Sequence, residues 1–162
     1  MQTRKFGLWE HGAAVILLAG LIALASGACR TIETECNCGR DCGECITYQD
    51  RLALQEEAKK NLAAIYIAEV SYFSNANTYS PNFNLIAWYP GADHRYAYFL
   101  PEEVIQTGIT EPYQLPAGVT VSVSQYGFTA AAVVNIDCDE TLDVWTINDA
   151  RIIKNLVNDV IE

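Results

Sequence analysis

Seventeen consecutive uncharged residues, "GAAVILLAGLIALASGA" from Gly12 to Ala28, constrain this chain more than any other stretch. That length is at the lower limit of the roughly 17 to 25 apolar residues that span a bilayer as a helix, and Leu8 and Trp9 extend it toward the interface. Arg4 and Lys5 precede it, so the positive-inside rule sets the N-terminus in the cytoplasm and everything after the run outside.

Two processed alternatives stand beside a retained anchor. "ASGA" offers a small-residue exit for a cleaved secretory signal, although Trp9, Glu10 and His11 lead poorly into its apolar region. "LASGAC" has the outline of a lipoprotein signal ending at Cys29, with Ser26 where Leu, Val or Ile is usual. Gly12, Gly20 and Gly27 form no GxxxG pair, so the run carries little sign of a helix partner. The expectation is a single-pass protein of the cytoplasmic (inner) membrane, with residues 1–28 as cytoplasmic start and anchor. Its globular domain is then periplasmic or extracellular.

An oxidising compartment suits the next stretch, "CRTIETECNCGRDCGEC", which holds five of the six cysteines. Cys36, Cys38, Cys42 and Cys45 could hold Zn2+ or an Fe–S cluster as four thiolates, but their spacing fits neither ferredoxin run and only "CGEC" resembles a zinc half-site. Ile46 rather than His follows "CGEC", which excludes the usual c-type haem attachment. Disulfides are the preferred reading. Cys29, Cys36, Cys38, Cys42 and Cys45 are odd in number and Cys138 makes them even, so one bridge can tie the connector to the domain beyond; fifteen pairings are open.

Beyond the cysteines the periodicity is helical and then strand-like. Leu62, Ile65, Tyr66, Val70 and Phe73 recur at helical spacing from about Gln49 to Ser74, with Glu56, Glu57, Lys59 and Lys60 opposite. Glu56 and Lys60 are spaced for an ion pair. Asn75 to Pro81 stops the helix. Four strand-like segments follow, at 94–100, 118–124, 127–136 and 141–147; Val119, Val121 and Val123 alternate with Thr120, Ser122 and Ser124. The final stretch fits a helix through Ile152, Ile153, Leu156, Val157 and Val160, and equally a hairpin. One long helix on a small antiparallel sheet makes an α+β domain with one core. The division is 1–28 anchor, 29–48 cysteine-rich connector and 49–162 globular domain, consistent with a chain of 162 residues.

Three features bear on function. The formal charge of −10 splits into +1 over residues 1–28 (Arg4, Lys5, Glu10) and −11 over the rest, which disfavours nucleic acid; the acidic residues are scattered as on a solvated surface. In "NIDCDETLD", Asn135, Asp137, Asp139 and Asp143 alternate like calcium-loop oxygens, although the EF-hand Gly and Glu are out of register; the alternative is an acidic turn between strands. Aromatics crowd residues 66–99 as core, and Trp88 and Tyr89 in the loop "AWYPG" are candidates for contact with a partner. His11 and His94 stand outside any catalytic motif, so no enzyme is expected.

"EEAKKNLAAIYIAEVSYFSNANTYS", "RYAYFL" and "GFTAAAVVNIDCDETLDVWTIND" together resemble the type IV pilin-like proteins of Gram-negative bacteria, over roughly residues 50–150. The resemblance implies a helical stem continuing into the spine of a head that packs on an antiparallel sheet. At the N-terminus, Phe6 and Glu10 stand at the family's places, and Lys5 replaces the Gly before its cleavage point. Gly27, Gly39 and Gly43 interrupt the stem, each costing a helix roughly 0.5 to 1 kcal/mol relative to Ala. The first functional expectation is therefore a non-catalytic, membrane-anchored structural or accessory subunit of a larger envelope assembly, contacting other membrane proteins and lipid. The alternatives are a self-assembling pilus or pseudopilus subunit, and a small metal or Fe–S redox protein using the cysteines.

Overall fold

The structure, a computed structural model, describes residues 47–106, 112–136 and 140–160. It opens on a helix, α1 (Tyr48–Ala76), whose start is written in a capping box. Thr47 Oγ1 accepts from the Asp50 N–H (3.2 Å), and the Asp50 carboxylate accepts from the Thr47 N–H (3.0 Å) and hydroxyl (2.7 Å). Those bonds, the side-chain one first, hold the Asp50 carboxyl below its ordinary range. Asn77 ends the helix in the left-handed region (φ 54°), where its N–H reaches the Phe73 carbonyl at 2.9 Å.

Six strands follow: β1 (Ala97–Leu100), β2 (Glu103–Ile105), β3 (Ser122–Val123), β4 (Phe128–Val134), β5 (Asp143–Asn148) and β6 (Ile153–Val157). All pair antiparallel in the order β2-β1-β4-β5-β6, with β3 beside the start of β4. β4 is the central strand and carries Ala130, Ala131 and Ala132 in succession, all fully buried. Its neighbours supply the bulk: Tyr98 and Trp145 flank Ala132 on the helix side, and Phe99 and Thr146 flank Ala131 on the other. The helix lays Ala58, Leu62 and Ile65 against that aromatic-edged trough. On the opposite face Ala97, Phe99, Ala131, Val133 and Val144 lie under Tyr113, Leu115, Val119, Val121 and Leu142.

Polar bonds fix the helix to the sheet. Glu57 Oε1 accepts from the Arg95 N–H (3.0 Å), the Tyr96 N–H (3.3 Å) and the Tyr98 hydroxyl (3.2 Å). Asp143, fully buried, accepts from five donors. Oδ1 receives Gln55 Nε2 (3.0 Å), Asn155 Nδ2 (2.9 Å) and the Asp159 N–H (3.3 Å), and Oδ2 receives the Tyr96 hydroxyl and Trp145 Nε1, both at 2.5 Å. Burial, and then the Asp143 charge, hold the Tyr96 phenol well above its usual range; burial does the same to Tyr98.

Several expectations are corrected here. Among the described residues no helix is long and apolar enough to cross a membrane. α1 carries Asp50, Arg51, Glu56, Glu57, Lys59, Lys60 and Glu69, charges a bilayer core does not accept. The expected class, a transmembrane helix and connector ahead of a pilin-like head, is replaced by one helix on a six-stranded sheet. The single-pass placement in the inner membrane, N-terminus inside and head periplasmic or extracellular, loses its support with it. The run Gly12 to Ala28 and the cysteine-rich stretch lie outside the described residues.

Smaller differences have local causes. Four strand-like segments become six strands, because "EEVI" folds back on β1 as β2 and the C-terminal stretch forms β6 through a turn at Arg151 (φ 59°). Within 118–124 only Ser122 and Val123 pair, while Val119 and Val121 cover the second face. Glu56 meets Lys59 (2.7 Å) rather than Lys60, and Lys59 then lies over the Trp145 ring at 5.0 Å.

Removing the Asp143 carboxylate strands five donors, several of them buried. Asp143→Ala is expected to lower stability by at least about 3 kcal/mol, read as a shift in urea midpoint. A loss below about 1 kcal/mol would mean the network is dispensable.

Candidate functional site

The loop between α1 and β1 presents the most elaborately built surface among the described residues. Phe83 and Trp88 point inward, with ring centroids 5.2 Å apart, and Trp88 meets Tyr98 edge-on at 5.2 Å. Between these anchors the chain turns tightly. The Ala87 N–H reaches the Asn84 carbonyl (3.1 Å), the Trp88 N–H reaches that of Phe83 (3.2 Å), and Asn82 Oδ1 accepts from the Leu85 N–H (3.0 Å). Ala87 sits at φ 51°, a conformation uncommon for a residue with a Cβ.

Glu103 at the start of β2 clamps the turn from outside. Its Oε2 accepts from the Phe83 N–H (2.7 Å) and the Asn84 N–H (3.1 Å), and its Oε1 from Asn84 Nδ2 (2.8 Å). The Tyr89 hydroxyl in turn donates to Asn84 Oδ1. Leu85 and Tyr89 are thereby held outward, 53% and 61% exposed. The aromatic pair expected as a partner contact is thus divided: Trp88, 7% exposed, is an internal anchor, and Tyr89 is on display.

A buried carboxyl lies behind this loop. Glu69 on α1 is fully enclosed; its Oε2 accepts from the Ser80 N–H at 2.9 Å and its Oε1 has no hydrogen-bond partner. Burial pushes its pKa up to about 7, against which the Ser80 bond acts only in part. The Ser80 hydroxyl bonds the Asn82 carbonyl (2.8 Å) and accepts from its N–H (3.2 Å), so Glu69 is linked through Ser80 and Asn82 to Leu85.

The remaining candidates separate. Asn135 is half-buried, with its N–H donating to the Tyr113 hydroxyl at 3.1 Å, whereas both Asp143 oxygens face the interior donors described above. Asp137, Cys138 and Asp139 lie outside the described residues, as do Cys29, Cys36, Cys38, Cys42 and Cys45. Among the described residues no three His, Cys, Asp or Glu side chains are grouped to hold a metal ion. His94 is half-buried, with Nδ1 2.8 Å from the Gly91 carbonyl and its ring 6.1 Å from that of Tyr98.

Sequence reasoning missed Glu69 and Glu103. A signal for Glu69 was present: it follows Leu62 and Ile65 by seven and four residues, in the buried register of the helix. Val70, assigned to that stripe, is 41% exposed instead. Glu103 had no local signal, since its partners lie twenty residues upstream. No family model matches the chain, and no curated protein does.

Glu69 gives a pH dependence of defined sign. Its folded pKa, about 7, lies above the ordinary 4.5, so its contribution to stability is complete below about pH 4.5 and is lost as pH rises through 7. The loss is about 3 kcal/mol. Thermal melts of wild type and Glu69→Gln should diverge over that window, the wild type falling more; parallel curves would mean that Glu69 is not held protonated. Glu103→Ala is expected to cost about 1–3 kcal/mol and to speed hydrogen exchange at the Phe83 and Asn84 amides.

Proposed function

We propose that this chain is a non-catalytic, pilin-like structural or accessory subunit of a larger protein assembly, which docks on a partner through the loop carrying Leu85 and Tyr89. One observation carries the reading: two buried aromatic anchors and a carboxylate clamp hold two large side chains in solvent. An apolar residue and a tyrosine fixed in this way form a contact point whose ordering cost is met before binding. The helix-first, antiparallel-sheet layout is compatible with the resemblance over residues 50–150. The described carboxylates with the most elaborate surroundings, at Glu57, Glu103 and Asp143, act as acceptors for backbone and side-chain donors of the same domain.

A filament subunit is the second reading, and a different surface favours it. Ile67 and Val70 stand exposed on the outer side of α1, at 62% and 41%, where packing against copies of the same helix would cover them.

Site-specific photocrosslinking in the cells that encode the chain separates these readings. A crosslinker at position 89 is expected to give a discrete adduct with a second protein, and one at position 126, where Tyr126 is 87% exposed on the turn between β3 and β4, none. An adduct of twice the chain's mass from position 67 would favour the filament. Silence at both 89 and 67 would end both readings. With the crosslinker moved to position 85, where Leu85 is 53% exposed, Tyr89→Ala should weaken the adduct while leaving stability within about 0.5 kcal/mol.

A further inference from the structure

The described residues cover the face of the sheet turned away from α1 only in part. Residues Tyr113 to Val121 and Leu142 pack over its β1 and β4 side, leaving a groove of about 240 Å³ whose floor and far wall are β5 and β6. Strand register defines its chemistry. Thr146 on β5 is directly opposite Lys154 on β6, and Asn148 is directly opposite Thr129 on β4. The hydroxyls of Thr129 and Thr146 and the Lys154 ammonium have no hydrogen-bond or ion-pair partner among the described residues. Asn148 Oδ1 accepts from the Ile152 N–H, which leaves its NH2 group to donate. Among the described residues no carboxylate lines the groove, although the chain carries a net charge of −10.

Among the described residues β6 is also an edge strand, paired only with β5. Ile152 and Leu156, 47% and 48% exposed, bracket Lys154 at two-residue spacing along the groove wall. An added strand would meet, on this face, an apolar residue, a cation and a second apolar residue in turn. Lys154 disfavours indiscriminate apolar pairing at the edge and sets the sign of what can pair. A second copy fits poorly: β6 against β6, centred on Asn155, sets each Lys154 against a Leu156.

We infer that the β6 edge and its groove bind an extended acidic segment of a partner protein, with the pattern apolar-x-acidic-x-apolar, by strand addition. The acidic side chain pairs with Lys154, and the apolar residues cover Ile152 and Leu156. This surface is distinct from the Leu85–Tyr89 loop, and neither reading depends on the other.

The test uses the full chain, 15N-labelled, titrated with the blocked peptide Val-Thr-Glu-Thr-Val and with its Val-Thr-Lys-Thr-Val counterpart. The Glu peptide is expected to shift the amides of β6 and of Thr146 and Asn148. Lys154→Glu should weaken it by about tenfold and reverse the preference between the two peptides. Equal binding of both peptides, shifts confined to other regions, or no shift at millimolar peptide would overturn the proposal. So would acetate alone reproducing the shifts, which would indicate a small-carboxylate site. Sedimentation supplies the last check: a dimer of the free chain that Lys154→Glu dissociates would assign the edge to a second copy and not to a partner.

Discussion

A buried carboxylate has to be surrounded by donors, and in this domain that requirement at Asp143 ties the elements together. Its two oxygens draw on the helix through Gln55, on the residue leading into β1 through Tyr96, on β5 itself through Trp145, on β6 through Asn155 and on the C-terminal segment through Asp159. Leaving such a group short of partners costs several kcal/mol, so a shift in the register of any one element is opposed by all the others. Hydrophobic burial alone tolerates sliding; a five-donor shell does not.

The same economy runs through the other interior acids. Asp159 accepts from the Ile136 N–H at 2.7 Å, and Glu69 and Glu57 bind backbone N–H groups of the segments leading toward the sheet. Some of the carboxyl groups that look, in the sequence, like a solvated surface are therefore internal: Glu69, Asp143 and Asp159 are all fully buried. The exposed surface is left with fewer carboxylates than composition suggests, which gives a lone cation such as Lys154 more weight.

The helix was legible because Leu62 and Ile65 keep helical spacing among good helix formers, and β1, β4 and β5 because each is rich in Val, Thr or aromatic residues between turn-forming ones. The other elements depend on distant residues. β2 is a three-residue strand with two carboxylates nearby, and it forms because β1 offers an edge and Pro81 accepts from the Glu102 N–H. β6 reads equally as a helix, and only pairing with β5 selects its period. Of the site, "AWYPG" announced an aromatic contact, but not which ring faces inward; that follows from Phe83 and Tyr98, neither adjacent to Trp88 in sequence. The alternating acids at 135–143 illustrate the opposite error. Asp143 keeps the spacing of a cation ligand while its side chain is committed to the core.

The three alanines of β4 leave the middle of the sheet thin, with rings rising on both sides of it. Volume is thus displaced from the centre of the core to its shoulders, and the helix rests in a saddle rather than on a plane. A saddle has one seat. The domain can exchange residues on its shoulders as long as their combined bulk is kept, but a methyl added at Ala130 or Ala132 presses on the helix directly. Divergence in such a protein is steered outward, to the loop and the free edge, and away from its midline.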